Sequence, residues 1–181
     1  MSRSALVVLV PEAEPMVGAL RDRFDPSAKA GVPAHVTVLF PFVSPKHWSD
    51  EMMAAVAEAV RGVASFDFRL SEVGRFAATA YLVPEPVAPF VALTQRVFER
   101  FPAHAPYGGS HADIIPHLTV ADCDAGHAAV ATAALDALLR VHGAITSTCR
   151  RVTLLEDSSG AWREVRSFDL AHGEVGVAPN S

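Results

Sequence analysis

The segment Leu9-Val10-Pro11-Glu12 recurs later in the chain as Leu82-Val83-Pro84-Glu85, and the rest of the sequence can be aligned around these two copies. Each copy ends a short run of β-forming residues, at 5–10 and 79–83. Repetition of such segments in the same order is typical of internal duplication. The sequence therefore predicts two copies of one folding unit.

The segments that follow each copy also correspond. Apolar residues recur at three- and four-residue spacing over 14–24 and over 87–101, which predicts amphipathic helices. Each helix leads into a β-like run that opens with a histidine, His35-Val36-Thr37-Val38 in the first copy and His117-Leu118-Thr119-Val120 in the second. The approach to the second run, 102–116, is the longer of the two and is rich in Gly, Pro and His.

Each copy continues with an alanine-rich helix and a further β-like stretch. The helices are predicted at 49–60 and 124–141, with Ser49 and Asp124 as N-caps. The β-like stretches follow at 66–76 and 145–155, and a turn at 157–160 leads to a last strand around 162–170.

This order predicts a single α+β domain over residues 1–181 with two lobes. The approximate repeat halves are 5–76 and 79–170. A duplication places equivalent residues symmetrically about the groove between the lobes. We therefore expect the two histidine-containing strands to face each other there.

The two His-x-Thr motifs present the same chemical groups. Because side chains alternate along a strand, His35 and Thr37 share one face, and so do His117 and Thr119. One neutral imidazole can take a proton from an attacking hydroxyl while a protonated one gives a proton to the leaving oxygen. Threonine hydroxyls can donate hydrogen bonds to phosphate oxygens on which charge develops. This set suits cleavage of a phosphodiester.

The alternative for these motifs is a structural pair of histidines. A single His-x-Thr is a weak signal in a chain with eight histidines. Here two copies both precede Val, follow a proline-containing approach, and lie at matching places in a repeat, which favours the catalytic interpretation.

At these motifs the sequence resembles the 2H phosphoesterase superfamily, which includes bacterial 2′-5′ RNA ligase-like proteins and cyclic phosphodiesterases. The resemblance extends over about 5–170, and Leu39-Phe40-Pro41-Phe42 is also similar to members of the RNA ligase-like group. It implies two pseudo-symmetric antiparallel-sheet lobes, with helices outside and a central cleft that carries both motifs.

The resemblance also implies roles for individual residues. His35 and His117 would be the catalytic acid–base pair, and Thr37 and Thr119 the donors to phosphate oxygens. Family members open 2′,3′-cyclic or related cyclic phosphates, and some join or cleave 2′-5′ linkages in RNA. Which histidine is the base is left open.

Composition limits the partners that we expect. The 181-residue chain has a net charge of −5, which argues against a broad nucleic-acid-binding surface and leaves a nucleotide cyclic phosphate or an RNA end as ligand. The apolar run at 5–10 is too short for a membrane span or a signal-peptide core. The two cysteines form no metal-binding pattern. We expect a cytoplasmic monomer that needs neither metal nor cofactor.

Four further residues are candidates for substrate binding. Phe42 and Tyr107 lie near the motifs and could stack on a base, and Gly108-Gly109 permits close approach of the backbone to a phosphate. Phe76 and Trp162 are expected in the core instead.

The main hypothesis is a metal-independent phosphoesterase, a hydrolase that opens cyclic phosphates. Two alternatives use the same site: an enzyme that joins or cleaves 2′-5′ linked RNA, and a non-catalytic nucleotide-binding module. A purely structural or partner-binding domain would leave the duplicated motif unexplained.

Overall fold

The computed structural model describes residues 2–105 and 114–172 of the chain, which form one sheet covered by helices. Its strands are β1 (Ser4–Leu9), β2 (His35–Leu39), β3 (Phe66–Arg75), β4 (Thr79–Glu85), β5 (Leu118–Asp122), β6 (Ile145–Cys149), β7 (Arg151–Glu156) and β8 (Arg163–Asp169). Its α-helices are α1 (Glu14–Phe24), α2 (Pro26–Lys29), α3 (Asp50–Arg61), α4 (Ala88–Arg100) and α5 (Ala125–His142), with short 3-10 helices at Pro11–Ala13 and Pro45–His47.

The predicted helices and their starts agree with the structure. Ser49 caps α3, because its Oγ accepts a hydrogen bond from the backbone N–H of Met52 at 3.2 Å. Asp124 caps α5 in the same way, accepting from the N–H of His127 at 2.9 Å. Such caps satisfy backbone donors that have no partner within the helix. None of the described helices combines the length and the apolar character that a membrane span requires.

The eight strands are ordered β6-β3-β4-β5-β2-β1-β7-β8, and each neighbouring pair is antiparallel. The centre of the sheet is the contact between β5 and β2, the strands of the two motifs, where Val36 pairs with Leu118. Each side of this contact contains four strands. These are the two antiparallel-sheet lobes that the resemblance implied.

Each lobe contains strands from both repeat halves. The third strand of the first half, β3, pairs with β4 and β6 of the second half. In turn β7, from the second half, pairs with β1 of the first. The helices cross over as well, because α1 packs on β5 and α4 packs on β2. The two repeat halves are therefore intertwined rather than set side by side.

The single β-like stretch predicted at 145–155 is two strands in the structure. β6 lies at one edge of the sheet beside β3, whereas β7 lies in the other lobe beside β1. Only Arg150 separates them. One residue spans only about 3.8 Å, so the end of β6 must lie close to the start of β7. The sheet therefore curls so that these two strands meet at Arg150.

The main core lies on one face of this sheet. Val36, Val38, Leu118 and Val120 are 3% exposed or less and pack in one cluster with apolar residues of the helices. Burying a Val or Leu side chain contributes about 1.5–3 kcal/mol. The residues of β2 and β5 that alternate with these buried ones lie on the opposite face of the sheet, which we call the open face.

Candidate active site

The open face brings the two His-x-Thr motifs together. Val36 and Leu118 are partners in the antiparallel contact between β2 and β5. Continuing that register by one residue in each direction sets His35 against Thr119, and Thr37 against His117. Residues directly opposite on such strands have Cβ atoms about 4.5–5.5 Å apart. Each imidazole is therefore next to the threonine of the other motif.

The strands beside the motifs carry matching irregularities. In β1 the register with β2 shifts between Leu6 and Val7, which leaves Val7 opposite Thr37. In β4 the register with β5 shifts between Ala80 and Tyr81, which leaves Tyr81 opposite Thr119. The lobes are thus equivalent in local geometry. In this geometry Val7 and Tyr81 occupy equivalent positions. The alignment of Leu9-Val10-Pro11-Glu12 with 82–85 in the sequence differs from this structural alignment by one residue.

Both histidines are held by the same kind of hydrogen bond. Nδ1 of His35 lies 2.7 Å from the carbonyl oxygen of Pro33, and Nδ1 of His117 lies 2.7 Å from that of Ile115. A carbonyl oxygen only accepts, so each Nδ1 carries the hydrogen and donates it. In the neutral ring the lone pair is then on Nε2. Nε2 is therefore the nitrogen at which a neutral ring can accept a proton.

The surroundings of His35 favour its neutral form. The pKa of His35 is lowered to about 4, and burial is the largest cause. The hydrogen bond to Pro33 acts in the opposite direction and raises the pKa. The nearby positive charge of Arg21 also lowers the pKa, Asp25 raises it, and His117 lowers it. The residue as a whole is half-buried. At neutral pH His35 is accordingly a neutral imidazole, with its one hydrogen on Nδ1.

A buried ion pair fixes the loop that leads into β2. Arg21 and Asp25 are each 2% exposed, and Nη2 of Arg21 donates to Oδ2 of Asp25 at 2.9 Å and to the carbonyl oxygen of Val32 at 3.1 Å. Oε1 of Glu14 accepts from the N–H of Ala34 at 2.6 Å. These bonds fix the backbone immediately before His35. Sequence reasoning missed them, since a helical arginine is usually on the surface.

Aromatic rings surround His117. The ring of Tyr81 lies 5.1 Å from it between centroids, and the ring of Phe76 lies 5.5 Å away at an interplanar angle of 88°. Burial, and then the charge of Glu72, raise the pKa of the Tyr81 hydroxyl, so this group stays protonated. The two motif histidines therefore have different neighbours, although their backbone settings match.

The structure revises the aromatic residues expected at the site. Phe42 was predicted to contact ligand, but it is 4% exposed and packs edge-on against Phe101 in the main core, so it offers no open face. Phe76 was expected in the core, but it is 38% exposed and contacts His117. Trp162 is partly buried against Phe40, as expected. Tyr107, Gly108 and Gly109 lie outside the described residues.

Two other polar sites on the described residues lie away from the motifs. A cavity of about 620 Å³ lies at the β6 edge of the sheet, where Arg69 is paired with Glu85 at 2.7 Å. Cys123, Asp124 and His127 form the one group of His, Cys, Asp or Glu side chains, among residues that the structure describes, close enough to share a metal ion. All three are exposed at the start of α5, where Asp124 already serves as the cap. Neither site includes a residue of the motifs.

Comparisons with known proteins agree with this architecture. The structure is similar to that of Escherichia coli LigT complexed with 3′-AMP, with a TM-score of 0.58, 14% identity, and coverage of 93% of this chain and 98% of LigT. It is also similar to TT0787 of Thermus thermophilus, with a TM-score of 0.61, 16% identity, and coverage of 95% and 100%. A third similar structure is described as a phosphoesterase, with a TM-score of 0.58 and 16% identity over 94% and 99%. A search of curated protein sequences found no match.

The solved structures show a mixed fold of helices and a curled antiparallel sheet, which is the fold that the resemblance to 2H phosphoesterases implied. The model of one family matches residues 9–161, which is most of the chain. The chain belongs to the 2′-5′ RNA ligase superfamily.

Proposed function

We propose that this protein is a metal-independent phosphoesterase that opens 2′,3′-cyclic or related cyclic phosphates of nucleotides or RNA ends. The proposal rests on one observation, the juxtaposition of two His-x-Thr motifs whose imidazoles are both held through Nδ1. In the proposed complex the two Nε2 atoms and the two threonine hydroxyls all contact one phosphate group.

In the proposed reaction His35 is the base and His117 the acid. Neutral His35 takes a proton from water at Nε2 as the water oxygen bonds to phosphorus. The bond from phosphorus to one ribose oxygen breaks, and that oxygen takes a proton from Nε2 of protonated His117. The lowered pKa of His35 supports this assignment, because a ring that is neutral at pH 7 has no proton on Nε2 to give.

Thr37 and Thr119 have the role of binding the non-bridging phosphate oxygens. Both side chains are partly accessible on the open face, and each lies next to the histidine of the other motif. Their hydroxyls can donate to oxygens that gain charge in the transition state. Removal of one such donor costs about 10²–10³-fold in rate in other enzymes.

Ligands of a related protein support a nucleotide substrate. Structures of Escherichia coli LigT hold 3′-AMP, ATP and NADP⁺, and another holds phosphate. All three organic ligands contain an adenine nucleotide. We propose that this chain also binds a nucleotide, and that it does so on the open face described above.

The test is incubation with the four 2′,3′-cyclic mononucleotides in excess EDTA, with products separated by chromatography. Wild type should open the ring, and His35→Ala and His117→Ala should each lower the rate by about 10²–10⁴-fold. His47→Ala is the matched control, because His47 is an exposed histidine in a 3-10 helix and should not matter.

Other outcomes distinguish the alternatives. Activity that EDTA abolishes and zinc restores would contradict the metal-free mechanism. Joining or cleavage of 2′-5′ linked RNA without ring opening would indicate the ligase alternative. Tight nucleotide binding without product would indicate a non-catalytic binding module.

A further inference from the structure

We infer that the exposed ring of Phe76 is the stacking surface for the nucleobase of the substrate, an inference that rests on the proposed function. Phe76 directly follows β3 and precedes Ala77 and Ala78, whose small side chains leave its ring uncovered. It is 38% exposed, so part of its aromatic ring is accessible to a ligand.

The position of Phe76 links this ring to the site. Its centroid lies 5.5 Å from that of His117, and the two rings are perpendicular. In a 2′,3′-cyclic nucleotide the base and the phosphate are carried by one ribose ring. A phosphate held at Nε2 of His117 therefore brings its base to the immediate surroundings of that imidazole, where Phe76 is an exposed aromatic side chain of the described residues.

The ring of Phe76 is supported from behind. Its centroid is 4.5 Å from that of Tyr81, at an angle of 35°, so one of its faces packs on the tyrosine. Tyr81 is in turn seated on Gly74, where a Cβ atom would lie only 2.2 Å from Cε2 of the tyrosine ring. A residue other than glycine would displace Tyr81. Tyr81 thus supports the ring of Phe76, which remains partly exposed.

Stacking also fits the charge of the protein. With a net charge of −5, the chain has no general electrostatic attraction for nucleotides. An aromatic face binds any base through its π surface and needs no basic surface. The inferred subsite therefore contributes affinity for nucleotides over base-free phosphates, with little selection among the four bases.

The test compares the binding of 3′-AMP and of inorganic phosphate by calorimetry in wild type, Phe76→Leu and Phe76→Trp. Leucine keeps the apolar contact with Tyr81 but removes the aromatic face. We expect Phe76→Leu to weaken 3′-AMP binding on the order of 10-fold and to leave phosphate binding unchanged, whereas Phe76→Trp retains both. Val141→Ala, which truncates another exposed apolar residue far along α5, is the matched control.

Equal weakening for both ligands would overturn the inference, since Phe76 would then act on His117. Unchanged binding of 3′-AMP, or no 3′-AMP binding by wild type, would overturn it as well. Turnover of glycerol 1,2-cyclic phosphate, which lacks a base, is measured in parallel. If wild type opens neither this compound nor cyclic nucleotides, the proposed function fails, while the binding data still decide the role of Phe76.

Discussion

His35 and His117 carry the same motif in different surroundings. His35 is half-buried near the Arg21–Asp25 ion pair, whereas His117 lies next to the rings of Phe76 and Tyr81. The sequence predicts the two residues and their chemistry because the spacing of His and Thr on a strand is a local property. It cannot predict their different neighbours, because Arg21 and Phe76 reach the site through packing of distant elements.

We predict that the pKa of His35 determines the acidic limb of the pH–rate profile. A base must be unprotonated, so kcat/KM should stay constant as pH falls below 6.5 and decline only as pH falls through about 4. The acidic limb of the kcat profile should lie at a higher pH, because a bound phosphate anion favours the protonated form of His35. Initial rates over about pH 3.5–9 in constant ionic strength would measure both limbs. A decline of kcat/KM that begins near pH 6.5 would contradict the assignment.

A control for this pKa does not depend on turnover. The folded protein has a lower His35 pKa than the unfolded chain, at about 4 against 6.5. The unfolded state therefore binds an extra proton in this interval, and stability is lost as pH falls from about 6.5 to about 4. The loss is at most about 1.4 kcal/mol per pH unit. Urea unfolding at several pH values should show this component in wild type, and His35→Gln should lack it.

At the scale of elements, the sequence predicts local structure better than strand pairing. The N-caps Ser49 and Asp124 and the turn at 157–160 follow from local hydrogen bonding and are confirmed. The division of 145–155 into β6 and β7 is not visible in the sequence, because apolar and polar residues continue through Arg150 without a breaker. Only the curl of the sheet, set by long-range packing, assigns the two strands to different lobes.

We predict that the contact between β2 and β5 couples stability to activity. Leu118 is fully buried where it pairs with Val36 across this contact, so Leu118→Ala should destabilise the protein by about 2–5 kcal/mol and shift both motifs. Leu135 is equally buried but belongs to α5 and not to a motif strand, so Leu135→Ala serves as the matched control. Denaturant unfolding gives the stability of each variant, and turnover is compared at a temperature where both remain folded. The rate should fall in Leu118→Ala alone, and equal rates would contradict the coupling.

On the scale of the whole molecule, the predicted duplication accounts for the symmetry of the site but not for the way its strands are combined. The repeat of Leu9-Val10-Pro11-Glu12 predicts two equivalent units, and the matching register shifts beside Thr37 and Thr119 agree with it. The sequence cannot show that the units exchange strands. That exchange depends on whether β3 pairs within its own half or with β4, and the hydrophobic pattern of the strand is the same in both cases.

The exchange leads to a prediction for the two halves expressed separately. A fragment of residues 1–77 contains β3 without its partners β4 and β6, and a fragment of 78–181 contains β7 without β1. Each fragment would expose unpaired strand edges and half of the main core. We therefore expect neither to fold alone, and we expect a mixture of the two to regain the circular dichroism and proton-exchange protection of the intact protein.

The intact chain should unfold in one cooperative transition. Trp48 fluorescence reports on the first half and Trp162 fluorescence on the second, each measured in a variant that lacks the other tryptophan. The two signals should have the same midpoint. A stably folded single fragment, or two separate midpoints, would show that the repeat halves are independent folding units.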